Sequence, residues 1–473
     1  MQVHRVARFA LASVALSLPG ALHAQAFGLN EIGSCAVGRA YAVSASPCKD
    51  ASTIFWNPAA AAWVNGWNIT AGVAAVAVDG SFSQDTTRRK FDGDVPTSWV
   101  PHVFVNYHAP TSKAAFGIGV YVPYGLTSQW PDSFPGRFSA KKATLATVYV
   151  QPNIAWQINS QWSIGGGPIY GHSSVELIQA IDLSQQQLPT GGRFGQIGIA
   201  TGTEFARARL KGSASAWGAQ IGVSGHPSPN WWLGARFLTP LEFKYDDADA
   251  TFTQQSTNLI VGGTLPGATP ATTIPAGTPV DSLVAPQFRT GGALVDQKAS
   301  TKITHPAQVQ AGLAYSGFKN WLLEADYAFI GWKRFDLLPV TFAGPANASS
   351  RTLIENYNNS SAIRLGVEYT IPTDGWKLRA GFAGVASAAP PETVTPLLPE
   401  QDRNYGTFGI GIPFWKNWAV DASYAHIFTP GARGRIAERV VGEPSASLTA
   451  DQINSGVFNL SANVFSLTLK ASY

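Results

Sequence analysis

Apolar and polar residues alternate with a period of two through most of this chain, yet nowhere do apolar residues run on long enough for a membrane-spanning helix. The longest apolar run, Phe9–Ala21, has 13 residues and lies at the N-terminus, short of the ~20 that cross a bilayer as a helix. In Ala307–Ser316, Ala307, Val309, Ala311, Leu313 and Tyr315 are apolar while Gln308, Gln310 and Ser316 are not. Ile363, Leu365, Val367 and Tyr369 alternate with Arg364, Gly366, Glu368 and Thr370. Trp376, Leu378, Ala380 and Phe382 alternate with Lys377, Arg379 and Gly381, and Trp418, Val420, Ala422 and Tyr424 with Asp421 and Ser423. That period belongs to strands with two unlike faces. It leaves a soluble sandwich or a transmembrane barrel.

Composition narrows the choice. Charged residues are only 13% of the 473 and aromatics reach 11%, with 15 Trp and 25 Phe. So little charge cannot coat a soluble surface of this size, and so many aromatics do not suit disorder. A barrel in lipid has this balance, because only alternate residues face hydrocarbon.

The first residues read as a secretory leader. Arg5 and Arg8 precede the apolar Phe9–Leu18, Pro19-Gly20 breaks it, and cleavage is expected after Ala24, with Ala26 an equally small site. Of 33 basic side chains, the 31 outside the leader face 29 acidic ones. That near-neutral balance offers nucleic acid no electrostatic handle. Export also places Cys35 and Cys48 in an oxidising compartment.

Turns favour the barrel over the sandwich. A short polar turn followed by Trp recurs six times, at Trp67, Trp162, Trp231, Trp321, Trp376 and Trp418. The opposite strand ends carry long connections, near 83–97, 126–141, 179–206, 254–299, 337–355, 389–401 and 431–455. Short turns on one side, long loops on the other and Trp at the interface describe an outer-membrane barrel. The rule gives fourteen strands, starting near 67, 97, 113, 141, 161, 207, 230, 300, 320, 356, 375, 402, 417 and 456. In the last, Phe465, Leu467, Leu469, Ala471 and Tyr473 share one face, but upstream Phe458, Leu460, Ala462 and Val464 are apolar in the opposite phase. A bulge near Val464-Phe465 is expected. The expected organisation is a signal peptide over 1–24, an N-terminal hatch over 25–66 and an all-β, 14-stranded antiparallel transmembrane β-barrel over 67–473. Residues 25–66 are apolar enough to fold inside and plug the lumen, with short helices expected in Ala36–Ala45 and Ala59–Val64.

The order Phe27-Gly28-Leu29-Asn30-Glu31, Gly38-Arg39-Ala40-Tyr41, Lys49-Asp50-Ala51-Ser52 and Asn57-Pro58-Ala59 resembles the hatch of the FadL/TodX family of outer-membrane transporters for long-chain fatty acids and aromatic hydrocarbons. The resemblance extends to the strand count and the aromatic C-terminus. It implies a hatch-plugged barrel that passes hydrophobic molecules by diffusion, releasing them sideways beside an inward kink of the third strand. Phe27, Asn57, Pro58 and Ala59 are its expected gating residues in the hatch. Where that kink would fall stand Pro123, Tyr124 and Gly125. Proline cannot donate to a ladder and glycine weakens it, so the strand either kinks there, with Tyr124 lining the opening, or ends in a loop; the kink is the reading adopted.

Two departures from the family stand out. Cys35 and Cys48 lie inside the hatch with 12 residues between them; bridged, they would contribute roughly 3 kcal/mol in the loop-entropy model, and a free pair is the alternative. Where fatty-acid members hold the carboxylate with basic residues, matching places Leu177 and Leu353, with Arg351 in the same strand parity as Leu353. This favours neutral hydrocarbons. Glu324, Asp326, Arg364, Glu368, Lys377 and Arg379 face the lumen if Trp faces out, and are expected to anchor the hatch.

No catalytic, cofactor or metal motif is found: G-x-S-x-G, C-x-x-C and H-E-x-x-H are all missing from the sequence. The expected function is passive transport of a hydrophobic small molecule across the Gram-negative outer membrane, by a monomer. Its other partners would be outer-membrane lipid and the barrel assembly machinery. The loops 179–206 and 254–299 are expected to form the outer capture site. A general porin and, below it, an outer-membrane lipid hydrolase are the alternatives.

Overall fold

The computed structural model describes residues 27–188, 191–266 and 273–473, so the expected leader lies outside the described residues. Fourteen antiparallel staves close on themselves. They are β1 Gly66–Gln84, β2 Ser98–His108, β3 Ala114–Gln129, β4 Lys142–Gln157, β5 Trp162–Asp182, β6 Glu204–Ser228 and β7 Trp231–Leu238 continued by Leu241–Gln254. Then follow β8 Gln297–His305 continued by Gln308–Tyr315, β9 Trp321–Ile330, β10 Ser360–Thr370, β11 Lys377–Val385, β12 Arg403–Trp415, β13 Trp418–Phe428 and β14 Gly456–Ser472. Above β9 and β10, the segments Leu337–Phe342 and Arg351–Ile354 pair as an outward extension. β14 pairs with β1 from Asn68↔Ser472 to Gln84↔Gly456, so the sheet has no free edge at the seam. Closure is what hydrocarbon demands, since it offers no partner to an unpaired backbone group.

The Trp residues expected at the girdle sit at the short-turn ends of β1, β5, β7, β9, β11 and β13. Trp67, Trp231, Trp321 and Trp376 are exposed there. Aromatic and aliphatic side chains such as Trp217, 71% exposed, cover the outer wall between the rims.

The inner wall has two tiers, and this corrects the bulge expected at Val464-Phe465. The β1–β14 register runs without a shift through Ala75↔Phe465 and Val76↔Val464. Even-numbered residues of β14 face inward throughout: Phe458, Ala462 and Val464 in the outer half, then Ser466 and Thr468 nearer the short turns. The alternation keeps its phase while the inward face changes from apolar to polar. β1 shows the same change, with Val76 and Phe82 in the outer tier and Asn68 and Thr70 in the inner.

The polar tier receives the hatch. Residues 27–64 fold inside the barrel as helix α1 Ser34–Gly38, helix α2 Thr53–Trp56 and a 3-10 turn Pro58–Trp63, and most of their side chains are buried. The Ser34 amide donates to Thr468 Oγ1 at 3.0 Å, and its hydroxyl shares hydrogen bonds with Ser466 and Thr468. Asp326 accepts from the Val43 and Ser44 amides at 2.9 and 2.8 Å, and Glu324 from those of Ala45 and Ser46. Arg39 lies 3.5 Å from Glu324, while Arg379 bridges Glu368 and Asp421 across β10, β11 and β13. Cys35 and Cys48 form a disulfide within this plug, their Cα atoms 6.2 Å apart. The hatch ends at Gly66, whose φ of 74° opens β1; a Cβ there would strike the carbonyl oxygen of Tyr473.

Candidate functional site: an opening in the wall over an apolar cavity

The ladder opens beside β3, and β4 and β5 also skip a short stretch between Val150↔Tyr170 and Ile154↔Gly166. β2 pairs with β3 from His108↔Ala115 only as far as His102↔Tyr121. Beyond that, residues 98–101 of β2 still pair with β1, through Val76↔Ser98 to Val73↔Pro101, but have no partner on the β3 side. β3 continues along β4 with a register shift between Tyr121 and Tyr124. At the shift it turns to the hatch. Pro123 O accepts from the Leu29 amide at 2.8 Å, and the Gly125 amide donates to Phe27 O at 3.0 Å. The backbone that left β2 is therefore satisfied by the N-terminal segment, as membrane depth requires.

Behind the opening lies a cavity of about 360 Å³. Ser98, Trp99 and Val100 line it from β2, Val122, Gly125 and Leu126 from β3, and Leu29 from the hatch. The cavity thus touches both strands that have parted. Val76 and Val78 of β1 and Ile427, Leu460 and Ala462 extend the apolar lining, and Glu31, Glu400 and Arg403 close one end with polar groups.

The expected site residues fall into three places. Pro123 and Gly125 stand at the kink. Tyr124 does not line the opening, contrary to expectation. It is fully buried, meets His305 in a tilted ring pair with centroids 4.0 Å apart, and accepts a hydrogen bond from Gln308 Nε2 at 2.9 Å. Its phenol belongs to an aromatic group with Phe27, whose ring meets Trp332 at 4.6 Å and Phe335 at 5.6 Å. The kink carries residue 124 inward, toward β8. Asn57, Pro58 and Ala59 lie elsewhere, against β5 and β6. Asn57 Nδ2 donates to Ser44 O and Val223 O, and Ser163 Oγ donates to Ala59 O at 2.9 Å. They wedge the hatch to the wall and none of them lines the cavity.

Residues 98–100 were not singled out in the sequence. Pro101 was the available signal, because a proline in a strand marks an edge position. The loops 179–206 and 254–299, expected to form the outer capture site, pack against each other. Leu183, Phe194, Phe205, Val261, Val280 and Val284 pack the two into a cluster of their own, with Leu259, Leu283 and Phe288 against it. Their dispersed apolar residues meet one another. Of the positions matched to a carboxylate site, Leu353 is buried in the core and Leu177 packs against it, while Arg351 faces a second cavity at the outer mouth.

Comparison with known proteins agrees with this architecture. Residues 15–472 match the model of the family described as outer membrane protein transport protein (OMPP1/FadL/TodX). A long-chain fatty acid transport protein of Escherichia coli K12 is 25% identical over 431 residues, covering 85% of this chain and 87% of that protein. Outer membrane protein P1 of Haemophilus influenzae is 23% identical over 98% of both. Among solved structures, a Pseudomonas aeruginosa FadL homologue superposes with a TM-score of 0.76 at 19% identity, over 95% of this chain and all of that one. The Ralstonia pickettii toluene transporter TbuX gives 0.62 at 17% identity, over 94% and 99%. The chain belongs to the OMPP1/FadL/TodX family and is a β-barrel of the Gram-negative outer membrane.

Proposed function

We propose that the protein carries hydrophobic compounds passively across the outer membrane and releases them sideways, between β2 and β3, into the bilayer. The observation that carries this is the coincidence of the unpaired stretch 98–101 with an apolar cavity lined from both parted strands. The names of the relatives, a long-chain fatty acid transport protein and a toluene transporter, support the same class of cargo. Energetics favour the lateral route. At roughly 0.8 kcal/mol per buried CH₂, a twelve-carbon chain released into water would forfeit about 10 kcal/mol, and release into lipid avoids that.

A general porin is the poorer reading, because the hatch packs the inner tier with hydrogen-bonded backbone and a disulfide-closed loop. A strain lacking its own transporter and expressing this chain should accumulate a labelled fatty acid, alkane or monoaromatic faster than the empty-vector strain. Uptake equal to the vector for all three classes overturns the proposal, and open-pore ion conductance in planar bilayers transfers support to the porin.

A further inference from the structure

We infer that the membrane-facing wall carries a binding site for the phosphorylated head group of lipid A, the glycolipid of the outer leaflet, centred on Lys244 of β7 and Lys302 of β8. The inference goes beyond transport and concerns the outside of the barrel. Among the described residues, every outward-facing lysine or arginine of the fourteen staves lies on β4, β6, β7 or β8. Lys244 and Lys302 are direct partners in the β7–β8 register, and both are exposed. Phe243, Tyr245 and His305, of the opposite parity, are buried on the lumen side. Like charges directly opposed across a ladder destabilise it, and an anion held between them removes that repulsion. Lys302 makes no ion pair among the described residues, and Lys244 has Glu242, 3.4 Å away on its own strand.

The pair stands at the level of the outer head groups. Lys302 precedes Tyr315, at the short-turn end of β8, by 13 residues. At ~3.3 Å per residue and a tilt of about 40°, that is roughly 33 Å of height, above an apolar band about 25 Å tall. On the same wall Trp217 of β6 and Tyr170 of β5 form an aromatic pair with ring centroids 5.1 Å apart, as an interfacial belt does. Above that pair, Ser215 Oγ shares hydrogen bonds with Tyr170 Oη at 2.8 Å and His172 Nδ1 at 3.1 Å. Between Lys211↔Asp249 and Gln220↔Leu238, β6 and β7 have no ladder pairs, so Ser215 and Lys244 stand on the two banks of a lapse. Behind it Leu241, Phe243 and Tyr245 are buried, and Tyr245 Oη donates to Ser173 Oγ on β5 at 2.7 Å. The lapse is thus backed from within and faces the membrane. Unpaired backbone there needs polar company rather than hydrocarbon, and the sugar hydroxyls and phosphates of lipid A supply it.

Most of the other charges on this wall are matched. Glu176 is shared by Lys142 and Arg209, and Lys298 pairs with Asp247 and Asp249. Lys211 stands opposite Glu176 on one side and Asp249 on the other. Asp246 is exposed with no ion pair among the described residues. Acyl chains below the head group would lie on the exposed Tyr170, Trp217 and Ile221. A zwitterionic phospholipid brings its own cation beside each phosphate, whereas lipid A brings phosphates without one. Two opposed lysines therefore select lipid A.

The test is equilibrium binding of bis-phosphorylated lipid A and of its dephosphorylated form to the purified full-length protein in detergent. The phosphorylated form should bind about tenfold more tightly, the ratio that one hydrogen bond to a charged group supplies. Lys244→Gln combined with Lys302→Gln should abolish that ratio, and Lys244→Arg combined with Lys302→Arg should keep it. Lys319→Gln, at an exposed lysine of the opposite, short-turn end, should leave it unchanged. Equal affinity of the wild type for the two forms overturns the inference, as does a preference that survives the double Gln variant. Phosphatidylglycerol competing as well as lipid A also overturns it, because the surface would then read any anionic head group. Should the Gln variant fail to assemble, the wild-type ratio and the competition still decide.

Discussion

Among the side chains that line the outer mouth, Glu438 is a buried carboxyl. Burial pushes its carboxyl up to about 7. It interacts with Arg351, Glu355 and Tyr357 from the β10 side, Thr395 from the β11–β12 connection, and Arg435 on its own connection, where Arg439 and Glu443 also lie. Ionised, it costs more to bury than protonated, so the connection that carries it is held best at low pH and less firmly as pH rises from 4.5 through about 7. Amide protection factors across residues 431–455 should therefore fall from roughly pH 5 to pH 8. Glu438→Gln should flatten that profile, and a flat wild-type profile would contradict this account of the mouth. In the lumen, Asp326 and Glu324 act differently. Each offers a carboxyl oxygen to two hatch amides, and these bonds tie the plug to β9.

At the scale of elements, the hatch and β3 depend on each other. β3 leaves β2, and the segment around Phe27–Leu29 takes up the amide and carbonyl groups that the departure frees. The disulfide closes a second part of the hatch, around α1. Cys35→Ser with Cys48→Ser should lower hatch stability by roughly 3 kcal/mol in the loop-entropy model and leave barrel assembly intact, because the barrel ladder closes without it. Limited proteolysis should then cut the hatch while the heat-modifiable barrel band persists; loss of that band would show that the bridge supports the barrel itself. The staves were legible because period-two patterning and Trp-led turns are local signals, and their starts fall within about five residues of expectation. Two features were not legible for one shared reason. The apolar-to-polar change along the inward face of β14 and the inward turn of Tyr124 are set by what lies across the lumen, the hatch at Ser34 in one case and His305 in the other. No window of sequence contains those partners. The unpaired edge of β2 was half legible, through Pro101.

For the molecule as a whole, one barrel face carries the proposed path. The aromatic run through Phe91, Phe134 and Trp130, the apolar cavity and the opening lie beside β1, β2 and β3, below an outer mouth shared by five connections. The hatch fills the inner tier, and the proposed side route runs past it. The most direct test fills the cavity at the opening without touching the hatch bonds. Ser98→Trp places an indole in the cavity, and Val103→Trp, on the exposed outer face of the same strand, is the matched control. Both variants should assemble in the outer membrane with wild-type heat modifiability. In cells lacking their own transporter, the account predicts that Val103→Trp takes up labelled dodecanoate at the wild-type rate and Ser98→Trp at the empty-vector rate. Wild-type uptake by a surface-assembled Ser98→Trp barrel would contradict lateral release between β2 and β3.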